Sequence, residues 1–276
     1  MIDILLATYN GERYLSEQID SILNQSYQNW RLLIRDDGST DKTISIIEHY
    51  CTTYPQKIIK INGPSHNIGV ISSFELLLKK SDSNYIMFCD QDDVWMPTKI
   101  ALSVYKMRET ERQHPNTPIL IHTNLCIVDY NKTIIASDFW QYANIKPSLL
   151  VSDIHFMALC NPITGCTILL NQTAKIQITP FPKSIIMHDA WIGICIRKKG
   201  IIKSINEATI YYRQHGDNCV GATKYKFSLA NKIYSLQKLY QRDKHIYDIY
   251  HPLIYKNYLS FLYHKTRLFY RIHVTK

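Results

Sequence analysis

The chain has 276 residues, 46% of them apolar, seven Cys and a formal charge of +9. That length buries a sizeable core, while an odd cysteine count with no C-x-x-C pair argues against a disulfide framework or a zinc knuckle. No apolar run reaches the roughly 18 residues of a membrane span, and Asp3 interrupts the first apolar run where a signal peptide would be apolar, so the expected location is the cytoplasm.

In chain order the elements alternate. Residues 2–8 form a short apolar run ending in Tyr-Asn-Gly, after which Leu15, Ile19, Ile22 and Leu23 recur at helical spacing. Residues 30–35 predict a second strand, closed by Asp36-Asp37-Gly38-Ser39-Thr40-Asp41, whose turn and cap chemistry leads into a helix carrying Ile44, Ile47 and Tyr50. The unit repeats as a strand at 57–61, a loop at 62–69, a helix at 70–80 and a strand at 85–89. Helices alternating with continuously apolar strands imply an α/β fold, with a mostly parallel central sheet and helices on both faces.

In such sheets ligands bind beyond the carboxyl ends of the strands. Three of those ends are polar: Thr8-Tyr9-Asn10, Asp36-Asp37-Gly38 and Asp90-Gln91-Asp92-Asp93. A single Asp after a strand is usually a turn former or cap. Three carboxylates within four residues repel one another unless a cation compensates them. Oxygen ligands suit Mn2+ or Mg2+, which commonly share their coordination with substrate phosphates. The chain has neither G-x-G-x-x-G nor G-x-x-x-x-G-K-[ST], so a dinucleotide fold and a P-loop are not supported.

Thr-Tyr-Asn-Gly, Arg-Asp-Asp-Gly-Ser-Thr-Asp, the Asn67-Ile68-Gly69 loop and Asp-Gln-Asp-Asp-Val-Trp, in this order and spacing, resemble glycosyltransferase family 2. Thr164-Gly165-Cys166-Thr167, His188-Asp189-Ala190-Trp191 and Tyr212-Arg213-Gln214-His215-Gly216-Asp217-Asn218 resemble later landmarks of its rhamnosyltransferase-like members. The resemblance covers about residues 1–220. It implies a GT-A type nucleotide-diphospho-sugar transferase fold and inverting transfer of a sugar, from UDP- or dTDP-sugar with dTDP-rhamnose among the candidates, to a saccharide or lipid-linked acceptor in surface polysaccharide synthesis. It further implies that Thr8 and Asn10 line the nucleotide site, that Asp36 contacts the base and that Asp90 flanks the ribose and diphosphate. Asp90, Asp92 and His215 would hold the metal, and Asp189 would be the catalytic base. Without the resemblance Asp189 reads as a helix cap and His215 as an ordinary loop histidine. Trp95 reads as core, and Trp191 is open between core and sugar stacking.

Residues 223–276 lie outside the resemblance and hold eleven Lys or Arg against Asp243 and Asp248, whereas residues 1–222 hold 21 of each sign. The expected division is a catalytic domain over 1–222 and a basic, Tyr-rich helical tail over 223–276. Phe227, Ile233, Leu236, Leu239, Tyr240 and Tyr247 recur at near-helical intervals, Pro252 breaks the pattern, and Leu253 begins a second helix. Such helices suit the surface of an anionic membrane, and the competing reading is a hairpin packed on the domain or on a second copy, a homo-oligomer. Two other classes compete for the whole chain. A nucleotidyltransferase would carry a Gly-rich basic loop where this chain has Tyr9-Asn10-Gly11-Glu12, and a nucleic-acid-binding protein would leave Asp90, Asp92 and Asp93 without a purpose.

Overall fold

The computed structural model describes residues 1–215 and 232–273. The first half alternates as expected: β1 (Ile2–Thr8), α1 (Leu15–Leu23), β2 (Trp30–Asp36), α2 (Thr43–Thr53), β3 (Ile58–Lys60), α3 (Val70–Lys80) and β4 (Tyr85–Cys89). There follow β5 (Val94–Trp95), α4 (Lys99–Gln113), β6 (Ile119–Val128), β7 (Ile134–Ala136) and three short helices, α5 (Phe139–Tyr142), α6 (Pro147–Ser152) and α7 (Ile154–Leu159). A single 3-10 turn (Gly165–Thr167) precedes β8 (Leu169–Asn171), α8 (Gln172–Ile178), α9 (His188–Lys199), β9 (Ile201–Arg213), α10 (Lys232–Tyr250) and α11 (Tyr258–His273).

Among the described residues one nine-stranded sheet has the order β3-β2-β1-β4-β8-β6-β9-β5, with β7 on β6. Strands β1 to β4 are parallel, as their continuous apolar runs predict, and so are β6 and β9. Strand β8 runs antiparallel to β4 and β6, and β5 antiparallel to β9. Pleat alternation puts Ile2, Ile4 and Leu6 in one cluster with Leu15, Ile19 and Ile22 of α1, and Leu5 in another with Phe74 and Leu77 of α3. Both faces are thereby covered. Asp3 is buried in the same strand, its carboxylate satisfied by Arg31 Nε at 2.6 Å and Ser83 Oγ at 2.8 Å.

From β1 the chain moves outward to β2 and β3, then returns to place β4 on the other side of β1. The crevice at the carboxyl ends of β1 and β4 is therefore a topological switch point.

The C-terminal helices fold back on the domain. Tyr250, Tyr255 and Phe261 belong to the same buried cluster as Leu5 and Phe88, and burying an aromatic of this size stabilises by about 1.5–3 kcal/mol. The Tyr255 hydroxyl donates to the His155 carbonyl at 3.1 Å, Arg267 pairs with Asp153 at 2.8 Å, and Lys265 of α11 pairs with Asp243 of α10. Helix α11 starts later than Leu253 because Asn257 caps it, accepting from the Ser260 N–H at 2.9 Å. The expected boundary at 222/223, residues 216–218 of the His215 motif, Cys219 and the expected helix start, with Phe227, lie outside the described residues, as do the side chains of Ile233 and Leu236. No helix among the described residues is long and apolar enough to cross a membrane.

Candidate active site

A cavity of about 710 Å³ opens at the switch point, in the size range of small-molecule sites. Its polar end is built from the loops after β1, β2 and β4: Thr8, Tyr9, Asp37, Asp90, Gln91 and Asp92 line it. The loops are fastened to one another. Gln91 acts as a backbone surrogate, its Oε1 accepting from the Tyr9 N–H at 2.9 Å and its Nε2 donating to the Tyr9 carbonyl at 3.0 Å. A Cβ on Gly11 would lie 2.4 Å from Gln91 Oε1, so any larger residue here would displace the Gln91 amide.

Asn10 and Asp36, expected to line the nucleotide site, are not among the residues lining the cavity. Asn10, at φ 48°, stitches the β1 loop to the β2 loop: its N–H donates to Ser39 Oγ at 2.8 Å, and its Oδ1 accepts from the Thr40 N–H at 2.9 Å. Asp36 accepts from the Gly38 and Ser39 N–H groups at 3.1 and 2.9 Å and from Thr8 Oγ1 at 3.2 Å. Its neighbour Asp37, which the sequence did not single out, faces the cavity instead. Asp37 is buried against Arg35 at 2.6 Å and accepts from the Ile68 and Gly69 N–H groups, both at 2.8 Å. The Asp-Asp doublet carried a signal, but side-chain direction past the strand end selects between the two acids.

The three acids after β4 separate. Asp90 and Asp92 line the cavity, while Asp93 turns inward, fully buried. One Asp93 oxygen accepts from the Arg213 N–H at 3.2 Å and the other has no partner among the described residues. Asp90, Asp93 and Cys166 place ligand atoms within 4.8 Å of one another. Asp92 instead meets His215, Oδ2 to Nε2 2.8 Å, so the structure joins two residues 123 positions apart. Arg213 holds this arrangement, donating to the Asp92 carbonyl at 2.9 Å and the Tyr130 carbonyl at 2.9 Å and pairing with Glu17. The Tyr14 ring lies 4.5 Å from its guanidinium and 5.0 Å from the His215 ring. Burial, then the charges of Asp92 and Asp189, push the Asp90 carboxyl up to about 7.

Asp189 lines the same cavity from the first turn of α9, and burial pushes its carboxyl up to about 6. The preceding His188 is buried beside Phe74 and Phe88, ring centroids 4.4 and 5.4 Å away, and burial holds it neutral. Trp191 donates its indole N–H to the Ile178 carbonyl at 2.9 Å and packs against the core, and Trp95 is buried. The four cavity residues that the sequence singled out, Thr8, Asp90, Asp92 and Asp189, thus meet in one space, with His215 behind Asp92.

Residues 3–123 match the family model "Glycosyl transferase family 2". The chain is 28% identical to dTDP-rhamnosyl transferase RfbG of Shigella flexneri, over 79% of this chain and 74% of that protein. It is 29% identical to the UDP-Glc:alpha-D-GlcNAc-diphosphoundecaprenol beta-1,3-glucosyltransferase WfaP of Escherichia coli, over 82% of each. Among solved structures, S. aureus TarS 1-349 in complex with UDP superposes at TM-score 0.55 and 20% identity, covering 77% of this chain and 60% of that one. Mannosyltransferase PcManGT from Pyrobaculum calidifontis, in complex with GDP-Man and Mn2+, superposes at 0.56 and 14% identity, covering 89% of this chain and 61% of that one. The chain thus spans about 60% of the length of the TarS chain. At these identities the structural likeness establishes the fold, which is the GT-A fold. The chain is thus similar to glycosyltransferase family 2 over its amino-terminal part, and to proteins named as glycosyltransferases over most of its length, on a GT-A fold.

Proposed function

We propose that the protein is an inverting glycosyltransferase that moves a sugar from a nucleotide diphospho-sugar to a hydroxyl of a saccharide or lipid-linked acceptor. The observation that carries this reading is the pairing of two kinds of carboxylate in one cavity. Asp90 and Asp92 sit at the strand ends, and Asp189 stands apart on α9. A base that titrates near 6 is ionised at neutral pH yet still accepts a proton. Asp189 takes the proton of the acceptor hydroxyl as its oxygen bonds to the anomeric carbon. The bond from that carbon to the diphosphate breaks on the opposite face, its electron pair leaving with the nucleotide.

The donor set fits a hard divalent cation, Mn2+ or Mg2+: Asp90 and Asp92, with His215 beside Asp92, would hold it, and the buried Asp93 carboxyl, raised by burial and by its two acidic neighbours, lies next to Asp90. When bound, the ion would neutralise the departing nucleoside diphosphate. Thr8 and Asp37 border the nucleotide side, with Asn10 and Asp36 holding the loops that shape it. The activities for which the relatives are named favour a UDP- or dTDP-sugar donor, dTDP-rhamnose included, and a lipid-linked acceptor in bacterial polysaccharide synthesis. A cytoplasmic protein acting there would touch the inner face of the membrane through its tail. The outward face of α11 supports that contact, because Leu259, Tyr263, Phe269 and Tyr270 are all more than half exposed.

Metal-dependent release of nucleoside diphosphate from a panel of nucleotide sugars, with and without acceptors, tests the reading. Release by wild type that is lost on chelation and in Asp189→Asn is expected. A wild type that turns over no nucleotide sugar sinks it.

A further inference from the structure

The acidic end of the cavity is only half of it. The other wall is apolar, contributed by Met157 and Leu159 of α7, by Ile163, and by Ile246 and Tyr250 of α10. The last two stand four residues apart and so share one face of their helix. Tyr250 is only 3% exposed, and its hydroxyl is raised to about 12, first by burial and then by the charge of Asp189. The tail helix therefore lines the same cavity as the carboxylate read as the base. It is also firmly held there: Asp243 ties α10 to α11 through Lys265, and Arg267 ties α11 to Asp153 at the start of α7.

From this wall we infer that α10 completes the acceptor subsite, with Ile246 and Tyr250 contacting the acceptor saccharide beside Asp189. The inference rests on the transferase reading. A pyranose carries a polar rim and apolar C–H faces, and a site for it needs an apolar surface with a few placed polar groups. The half-buried Ile246 supplies apolar surface for the C–H face, and the Tyr250 hydroxyl a polar group for the rim. The nucleotide end cannot serve as this surface, because Thr8, Asp37, Asp90 and Asp92 give it polar and anionic walls. Continuity with Asp189 selects the occupant: whatever lies on the α10 wall presents its hydroxyl to the base.

The test uses the full-length protein and, as acceptor probes, octyl glycosides of glucose, N-acetylglucosamine and rhamnose. Saturation-transfer NMR is expected to detect at least one glycoside on nucleotide-loaded wild type, and Tyr250→Phe and Ile246→Gln are expected to raise its KM about tenfold or more. Transfer should fall at least tenfold further than acceptor-independent release of nucleoside diphosphate, while nucleotide affinity and the circular-dichroism melt are retained. Tyr250→Ala should lose the glycoside signal altogether. Equal losses of transfer and hydrolysis, an unchanged glycoside KM in both conservative variants, or no glycoside bound to wild type overturns the acceptor subsite and leaves the transferase reading standing. A wild type inert toward every nucleotide sugar overturns both.

Discussion

Two carboxyls line one cavity, and burial raises both: Asp189 to about 6 and Asp90 to about 7. For Asp189 the consequence is kinetic. With Asp189 as the proposed base, transfer would require the ionised form, so its rate should rise with pH through about 6 and level off above, and Asp189→Asn should lower it by about 10²- to 10⁴-fold with nucleotide affinity retained. A pH–rate profile and a nucleotide titration check both, and lost nucleotide binding would mark Asp189 as structural. For Asp90 the consequence is stability. Its carboxyl is raised in the folded state, so it adds stability that is full below the usual carboxylate range and is lost as pH rises through about 7. The proposed divalent cation would compensate the ionised form and would compete with the proton below about 7. Mn2+ should therefore raise Tm more at pH 8 than at pH 5.5 by scanning calorimetry, and equal increments would place the ion elsewhere. Asp37 sets a different kind of constraint. It neutralises the buried Arg35 at 2.6 Å and pins the loop before α3, so Asp37→Ala leaves an uncompensated buried charge and should cost about 3–5 kcal/mol in urea denaturation.

At the scale of elements, the loops after β1, β2 and β4 behave as one rigid piece because side chains replace missing backbone partners. Gln91 pairs with both backbone groups of Tyr9, Asn10 joins Ser39 and Thr40, and Arg213 brings β9 to the Asp92 carbonyl. Gly11→Ala should push Gln91 off Tyr9, since the new methyl would sit 2.4 Å from its amide oxygen. Two hydrogen bonds, each about 0.5–1.5 kcal/mol, would be lost. Nucleotide affinity should drop while secondary structure persists, as calorimetry and circular dichroism can separate. Unchanged affinity would mean that the β1 and β4 loops find their positions independently.

The whole molecule depends on its tail for more than charge. The C-terminal segment buries Tyr250, Tyr255 and Phe261 in the core and α10 lines the cavity, so a chain cut after residue 222 should lose nucleotide binding and melt at lower temperature. Full retention of both would make 1–222 an autonomous domain. The opposite face of α11 remains apolar and exposed, with Leu259 at 75% and Tyr263 at 62%. Leu259→Asp combined with Tyr263→Asp should weaken sedimentation with anionic vesicles without altering nucleotide binding. Residual binding should fade with salt as the Debye length shrinks from about 8 Å at physiological ionic strength to about 3 Å at 1 M. Indifference of the wild type to vesicles at low salt would assign the stripe to contact between copies of the chain.

Much of this was legible along the chain because it is local. The apolar runs of β1, β2 and β4, the helical spacing in α1 and α3, and the polar strand ends each occupy fewer than a dozen neighbouring residues, where side-chain period alone decides. Thr8, Asp90, Asp92 and Asp189 could be picked out by matching those stretches to a family. What depends on long-range packing could not. Strands β5 and β8, two and three residues long, carry no period and exist only because β9, β4 and β6 offer edges to pair with. The choice of Asp37 over Asp36 for the cavity, the inward turn of Asp93, the meeting of Asp92 with His215 and the presence of Tyr250 in the same cavity as Asp189 follow from contacts that close only when the sheet and the C-terminal helices are assembled. Period reports which face a residue takes on its own element, and only tertiary packing decides what that face meets.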